Sequence, residues 1–338
     1  MLGGHVAALL RARGREVRAL HRRGSDTAGL RALGCELVEG DVRDAPDALA
    51  RRMAGCDGLV HAAAVTYGLP WAEVRAINVE GTERLLRGAA QAGIRATVHF
   101  SSAAVYGEAR GRPTEDSPLD GPLGSEERYA RSKREAEAAV HRLAAELGVA
   151  TAVLRPVVVY GEGDRLFTPG LVRAFRFPLQ FVLGDGLGVL PVVYAGNVAD
   201  AALAALAAAA ASPSFGGGPG RGAPARVFDL ADDHPITQRD LYLALSAALR
   251  LPYRPVHLPR GLVLAGSRVG QALGIRVANA PEMPLHRAAR FTLGPNPFGS
   301  GRIRAELGWT PPIALATALE RTARWADGAR VELGLTRR

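Results

Sequence analysis

Short apolar runs alternate with longer amphipathic stretches through the first half of the chain. Residues 16–20, 36–40, 58–63, 96–102 and 151–155 are dominated by Val, Leu, Ala and other small or apolar residues, which predicts strands. Residues 2–14, 28–33, 46–53, 71–92 and 129–147 carry apolar positions at helical spacing, which predicts helices between them. Strands apolar on both faces and separated by helices predict an α/β fold with a doubly wound parallel sheet.

The rhythm breaks after Tyr160-Gly161. Residues 166–188 mix aromatics, prolines and glycines. A strand at 189–194, a helix at 197–211, a Gly/Pro loop at 212–225 and a strand at 227–230 follow. Thr237 is placed to cap a helix over 238–249, and from Leu262 onward the chain is mostly helical. The expected division is a sheet domain from 1–160 plus 192–232, and a smaller, mostly helical substrate-binding region from 161–191 plus 233–338. No internal repeat is visible.

The first helix has no strand before it. In a dinucleotide-binding sheet a strand and a glycine-rich turn precede that helix, whose N-terminus takes the pyrophosphate. Gly3 would be the last glycine of that turn. The expectation is that coding continues upstream of Met1 into a β-rich run ending in something like Thr-Gly-Ala-x-Gly. A sheet lacking that central strand would expose two strand edges.

Composition narrows the function classes. The chain has 338 residues, 48% of them hydrophobic and 22% charged, ordinary for a globular protein. A net charge of +9 would suit nucleic acid, but the arginines are scattered and aromatics are only 6%, so no nucleic-acid partner is expected. Cys35 and Cys56 have no metal or redox spacing and are expected as small core residues. No apolar run is long enough to cross a membrane and no signal peptide is present, so a cytoplasmic enzyme acting on a small molecule is expected.

Among 42 Lys plus Arg there is one lysine, Lys133, four residues after Tyr129. Residues i and i+4 share a helix face. A lysine ammonium near a phenol favours the phenolate, and bringing a tyrosine within reach of neutral pH takes ~4 kcal/mol, which a partly buried pair plus a cationic cofactor would supply. Ser102 ends the fourth strand, at the sheet edge where ligands bind in such folds, and can hold a substrate oxygen while Tyr129 transfers a proton.

Ser101-Ser102-Ala103-Ala104-Val105-Tyr106-Gly107, Tyr129-x-x-x-Lys133, Asn78-Val79-Glu80-Gly81-Thr82 and Arg155-Pro156-x-x-x-Tyr160-Gly161 together resemble the extended short-chain dehydrogenase/reductase superfamily, the NAD-dependent epimerase/dehydratase family, with its Rossmann fold. The resemblance extends to Glu306-Leu307-Gly308-Trp309-x-Pro311. It implies Ser102, Tyr129 and Lys133 as the catalytic triad, with Lys133 also on the nicotinamide ribose. It implies Gly3 at the pyrophosphate, Asp41 and Val42 beside the adenine, and Ala62 and Ala63 along the cofactor. Asn78 would stand behind the site and Pro156 beside the nicotinamide. A homodimer through the Tyr129 helix would fit the family. For His61 and Tyr106 packing is the preferred role.

The cofactor would be NAD or NADP. Leu20-His21-Arg22-Arg23 offers no carboxylate for a ribose diol, and Arg22 and Arg23 favour a 2′-phosphate, hence NADP. Sugar-nucleotide members typically carry Arg-Asp-Phe where this chain has Leu190 and Pro191, and arginine there suits a diphosphate. With Gly184-Asp185-Gly186 and Asn197-Val198-Ala199, the chain is nearest the 3β-hydroxysteroid dehydrogenase and dihydroflavonol reductase branch. The expected reaction is hydride transfer between NAD(P) and a secondary alcohol or ketone of an apolar, steroid-like or alicyclic substrate. A nucleotide-sugar epimerase or dehydratase is the alternative, and a non-catalytic NAD(P)-binding protein is the third.

Overall fold

The computed structural model describes residues 1–108, 111–175, 177–212, 215, 225–234, 236–277 and 282–329. The strands are β1 (Arg18–His21), β2 (Glu36–Glu39), β3 (Gly58–His61), β4 (Ala96–Phe100), β5 (Ala150–Pro156), β6 (Val158–Tyr160), β7 (Gln180–Leu183), β8 (Val192–Tyr194), β9 (Arg226–Leu230) and β10 (Pro255–Leu258). The helices of the first half are α1 (Leu2–Ala12), α2 (Ala28–Ala32), α3 (Pro46–Met53), α4 (Trp71–Arg75), α5 (Gly81–Gln91) and α6 (Arg128–Leu147). Those of the second half are α7 (Phe167–Ala174), α8 (Ala195–Ala211), α9 (Gln238–Leu249), α10 (Arg260–Ala272), α11 (Leu285–Leu293), α12 (Gly301–Leu307) and α13 (Leu315–Gly328).

β3, β4, β5 and β9 form a parallel sheet in that order. Among the described residues β1 pairs only with β2, so β1 and β3 each carry an edge without a strand on it. β4 and β5 are buried along their whole length, because helices cover both faces. Val6 of α1 and Val198, Ala201, Ala202 and Ala205 of α8 pack on one face with Val98, Phe100 and Leu154. Alanines let α8 approach closely. Leu86 of α5 and Val140, Leu143 and Ala144 of α6 cover the other face with Val153 and Val227.

Two smaller parallel pairs, β6 with β8 and β7 with β10, lie in the second half, where α7, α9 and α13 close a separate core. Thr237 caps α9 in a reciprocal capping box with Asp240, as the sequence predicts. The strand expected at 189–194 is shorter: only 192–194 pairs with β6, while Val189 bridges Thr237. Leu190, expected to face substrate, is 4% exposed and packs with Tyr160, Tyr194 and Ile236. Cys35 and Cys56 are half-buried free thiols rather than core residues. Most of the loop expected at 212–225 lies outside the described residues. Among the described residues no helix is long and apolar enough to cross a membrane.

The predicted helix at 71–92 is interrupted. Residues Ala76–Glu80 form one π-turn between α4 and α5. The extra residue in that turn shifts the helix face, and Asn78 points inward with 1% exposure.

Candidate active site

α6 carries the row Tyr129, Lys133, Glu137 and His141, each one turn beyond the last. Lys133 and Glu137 lie on the same buried face as Val140 and Ala144. The helix therefore buries two charges against the sheet, and both need partners. It ends at Gly148, whose left-handed φ of 67° suits a glycine C-cap.

β4 delivers the opposing side of the site. It ends at Phe100, whose carbonyl accepts a hydrogen bond from Lys133 Nζ at 2.6 Å. Ser102 follows in extended backbone, and its Oγ accepts from the Ala104 N–H at 3.2 Å. Lys133 Nζ stands 5.9 Å from the Tyr129 ring centre. The start of α6 is tied down by Glu282, which accepts from the Tyr129 N–H at 3.2 Å and pairs with Arg128 at 3.5 Å.

Asn78 joins three pieces of the site. Its Oδ1 accepts from Val65 N–H at 2.9 Å, and its Nδ2 donates to the Val65 carbonyl and to Ser132 Oγ at 2.8 and 2.9 Å. Its amide is committed inside the protein, holding the segment after β3 against α6. His61 donates from Nε2 to Thr82 Oγ1 at 2.9 Å, since the Thr82 proton goes to the Asn78 carbonyl. Burial, with Lys133 nearby, lowers the His61 pKa to about 3, so it is neutral.

Lys133 by itself does not depress Tyr129. Burial raises the Tyr129 pKa, and only the Ser102 hydrogen bond works the other way. The cost of desolvating the phenolate exceeds what an ammonium held by a backbone carbonyl returns. Burial lowers Lys133 to about 8, with Glu137 opposing. The pair as it stands is a neutral phenol beside an easily deprotonated ammonium.

Behind Ser102 lies a buried polar network. Ser101 Oγ donates to Glu137 Oε2 at 2.7 Å, and Arg155 of β5 binds Glu137 through Nε at 3.0 and 3.1 Å and through its terminal nitrogen. Arg155 also donates to the Tyr106 hydroxyl at 2.7 Å, which donates to both oxygens of Asp229 at 2.9 and 2.8 Å. Burial raises Glu137, but bonds from His141, Arg155 and Ser101 outweigh it and hold the carboxyl at about 2. Burial pushes Asp229 up to about 7. The packing role expected of Tyr106 is thus incomplete: its hydroxyl links the buried Arg155 guanidinium to the buried Asp229 carboxyl. Glu137 and Asp229 were not singled out from the sequence, although Glu137 continues the four-residue spacing from Lys133.

The residues expected around a cofactor gather at the carboxyl edge of the sheet only in part. A Cβ on Gly3 would stand 3.6 Å from the Ala62 Cβ, so the start of α1 and the end of β3 meet. Ala62 is half-buried, Ala63 exposed and Pro156 buried at the end of β5. Asp41 binds Arg43 at 2.8 and 3.0 Å, which lowers its pKa. Val42 is buried with Leu49, Ile77 and Leu85. Arg23 reaches Glu39 at 3.6 Å with its side chain 91% exposed, and Arg22 lies near Asp41. Lys133 is 4% exposed and uses one of its three N–H groups on Phe100, so two have no partner among the described residues. Spare buried donors beside a small-residue cradle and a helix N-terminus fit a nucleotide bearing a ribose diol and phosphates.

Near Tyr129 the arginines are engaged. Arg128 pairs with Glu126 and Glu282, Arg287 with Glu108 and Glu127, and Arg276 with Glu126.

A doubly wound sheet with serine at a strand end, facing tyrosine and lysine one helical turn apart, defines the nucleotide-dependent reductases and epimerases of the short-chain type. A profile of the NAD dependent epimerase/dehydratase family matches residues 1–216, and the chain belongs to that family of NAD(P)-dependent enzymes. It is 29% identical over 325 residues to the 4-hydroxy-2-methyl-3-oxo-4-farnesyl-3,4-dihydroquinoline-1-oxide ketoreductase of Stigmatella aurantiaca, covering 94% of this chain and 92% of that one. It is 32% identical to the decarboxylating sterol-4-alpha-carboxylate 3-dehydrogenase of Candida albicans, over 49% of this chain and 48% of that one. In fold it resembles the UDP-glucose 4-epimerase of Thermotoga maritima, with a TM-score of 0.68 and 19% identity over 97% of this chain and 96% of that one.

Proposed function

We propose that this chain reduces a ketone, or oxidises the corresponding secondary alcohol, on an apolar alicyclic substrate. The observation that carries the reaction is Ser102 at the end of β4 with Tyr129 and, one turn on, a buried Lys133 that holds the Phe100 carbonyl and keeps two uncommitted N–H groups. When bound, NAD(P)H would supply the hydride to the carbonyl carbon. The neutral Tyr129 phenol gives its proton to the carbonyl oxygen, and Ser102 holds that oxygen by its hydroxyl. Ketone, NAD(P)H and a proton thus become alcohol and NAD(P)+. Lys133 is assigned to the ribose and to replacing the Tyr129 proton. Gly3 and the N-terminus of α1 would take the pyrophosphate, Asp41 and Val42 would flank the adenine, and Ala62, Ala63 and Pro156 would line the nicotinamide half. Asn78 acts by positioning. Arg22 and Arg23, both exposed, support a preference for NADP.

The apolar substrate is supported by Arg128, Arg276 and Arg287, each paired with carboxylates and so not free to clamp a diphosphate. It is also supported by the two relatives, named for a farnesylated ring ketone and a sterol. A nucleotide-sugar epimerase or dehydratase is the second reading, favoured by the Ser101–Gly107 run, which is common in such enzymes. Turnover of steroid-like and prenylated ring ketones beside UDP- and dTDP-sugars separates the two. Tyr129→Phe should lower kcat about 10²–10⁴-fold on whichever substrate is found, and full turnover by that variant would end both readings. A KM for NADH below that for NADPH would end the NADP preference.

A further inference from the structure

α10 presents an apolar stripe to the outside, with Arg260, Arg268 and Gln271 exposed elsewhere on it. One face packs inward, where Ser267 Oγ meets His286 Nδ1 at 2.9 Å and a Cβ on Gly270 would lie 2.9 Å from Leu285. The opposite face carries Leu262, Ala265, Gly266, Val269, Ala272 and Leu273, all exposed, with Leu262 64%, Val269 60% and Leu273 75% exposed. No charged residue interrupts that face. An outward stripe of this kind does not form on a surface facing only water.

The flanks carry charge of one sign. Residues 241–281 hold five arginines and no Asp or Glu. Arg254, Arg260 and Arg268 are exposed and make no ion pair with a described residue, unlike the arginines near Tyr129. β7, which pairs with β10 immediately before α10, exposes Phe181, and Phe177 and Leu179 beside it line a groove of about 300 Å³. An apolar stripe bordered by Arg268, with exposed Arg260 at the start of the helix, complements one kind of surface, the anionic headgroup and acyl boundary of a bilayer. A second copy of this chain would set arginine against arginine.

We propose that α10 is an interfacial helix that docks this protein onto anionic lipid, with Leu262, Val269 and Leu273 inserted and Arg260 and Arg268 on the headgroups. Just beyond α10, Arg276 pairs with Glu126, and Glu282 holds the start of the Tyr129 helix. The proposal goes beyond the reaction above and does not require it.

Co-sedimentation of the full chain with phosphatidylcholine vesicles, with and without phosphatidylglycerol, tests it without reference to activity. The native chain should bind the mixed vesicles, and less so as salt rises. Leu262→Glu with Leu273→Glu should lower binding at least tenfold. Arg260→Gln and Arg268→Gln should each lower binding to the mixed vesicles about fivefold and change binding to pure phosphatidylcholine little. These side chains are exposed, so unchanged circular dichroism and Tm should accompany the losses. Absence of native binding to either vesicle would overturn the proposal. So would vesicle binding that survives the glutamates, or a dimer, dispersed by Leu273→Glu, in a chain that ignores lipid.

Discussion

Lys133 Nζ donates to the Phe100 carbonyl at 2.6 Å, two residues before Ser102. One bond thus sets the spacing between α6 and the strand end. It also leaves the ammonium buried, with its pKa lowered to about 8 by desolvation.

Replacing Lys133 by Met should expose that cost. The folded-state pKa of about 8 lies below the ordinary 10.5, so the unfolded chain binds more protons between those values, and native stability rises across that window. At pH 7 the buried charge costs roughly 3 kcal/mol. Lys133→Met should be at least as stable as the native chain at pH 7 and should lose the gain above pH 8, while its affinity for NAD(P)H falls. Urea unfolding at several pH values, with cofactor titration, measures both.

Asp229 titrates in the opposite sense. Its pKa is raised from 3.8 to about 7, so its contribution to stability is present below pH 3.8 and is lost as pH rises to 7. Asp229→Asn stays neutral and can still meet the Tyr106 hydroxyl. Its Tm should be flatter than that of the native chain between pH 4 and 7, and higher at pH 8. An unaltered pH–Tm curve would show that Asp229 does not titrate there.

Glu137 and Arg155 should behave as one unit. Removing either partner strands a buried charge and should cost about 3–5 kcal/mol, whereas Glu137→Gln with Arg155→Met should cost much less than the sum. Glu137 also holds Ser101, so Glu137→Gln should lower kcat more than it raises KM. A thermodynamic cycle from urea unfolding, with steady-state kinetics, reads the coupling.

Gly81 permits a contact at the expected adenine side. A Cβ there would lie 2.7 Å from Val42 Cγ2, and Val42 cannot retreat from Leu49, Ile77 and Leu85. Gly81→Ala should lose about 1–3 kcal/mol of stability and weaken NAD(P)H binding by displacing the Asp41–Val42 turn. Gly93→Ala, where nothing lies within 4 Å but φ is 81°, is a control for backbone strain alone.

The sequence by itself determined the alternation of strand and helix, the Tyr129–Lys133 spacing, Ser102 at a strand end and the cap at Thr237. Each is local: periodicity, turn chemistry and spacing are written within a few residues. Tertiary structure alone decided that Glu137 meets Arg155, that Tyr106 reaches Asp229 123 positions away, and that Leu190 packs inward. It alone decided that Tyr129 is raised rather than lowered and that the outer face of α10 lies bare. Register between strands sets which distant side chains meet. Desolvation sums over everything packed around a group, and no short stretch of sequence contains that sum.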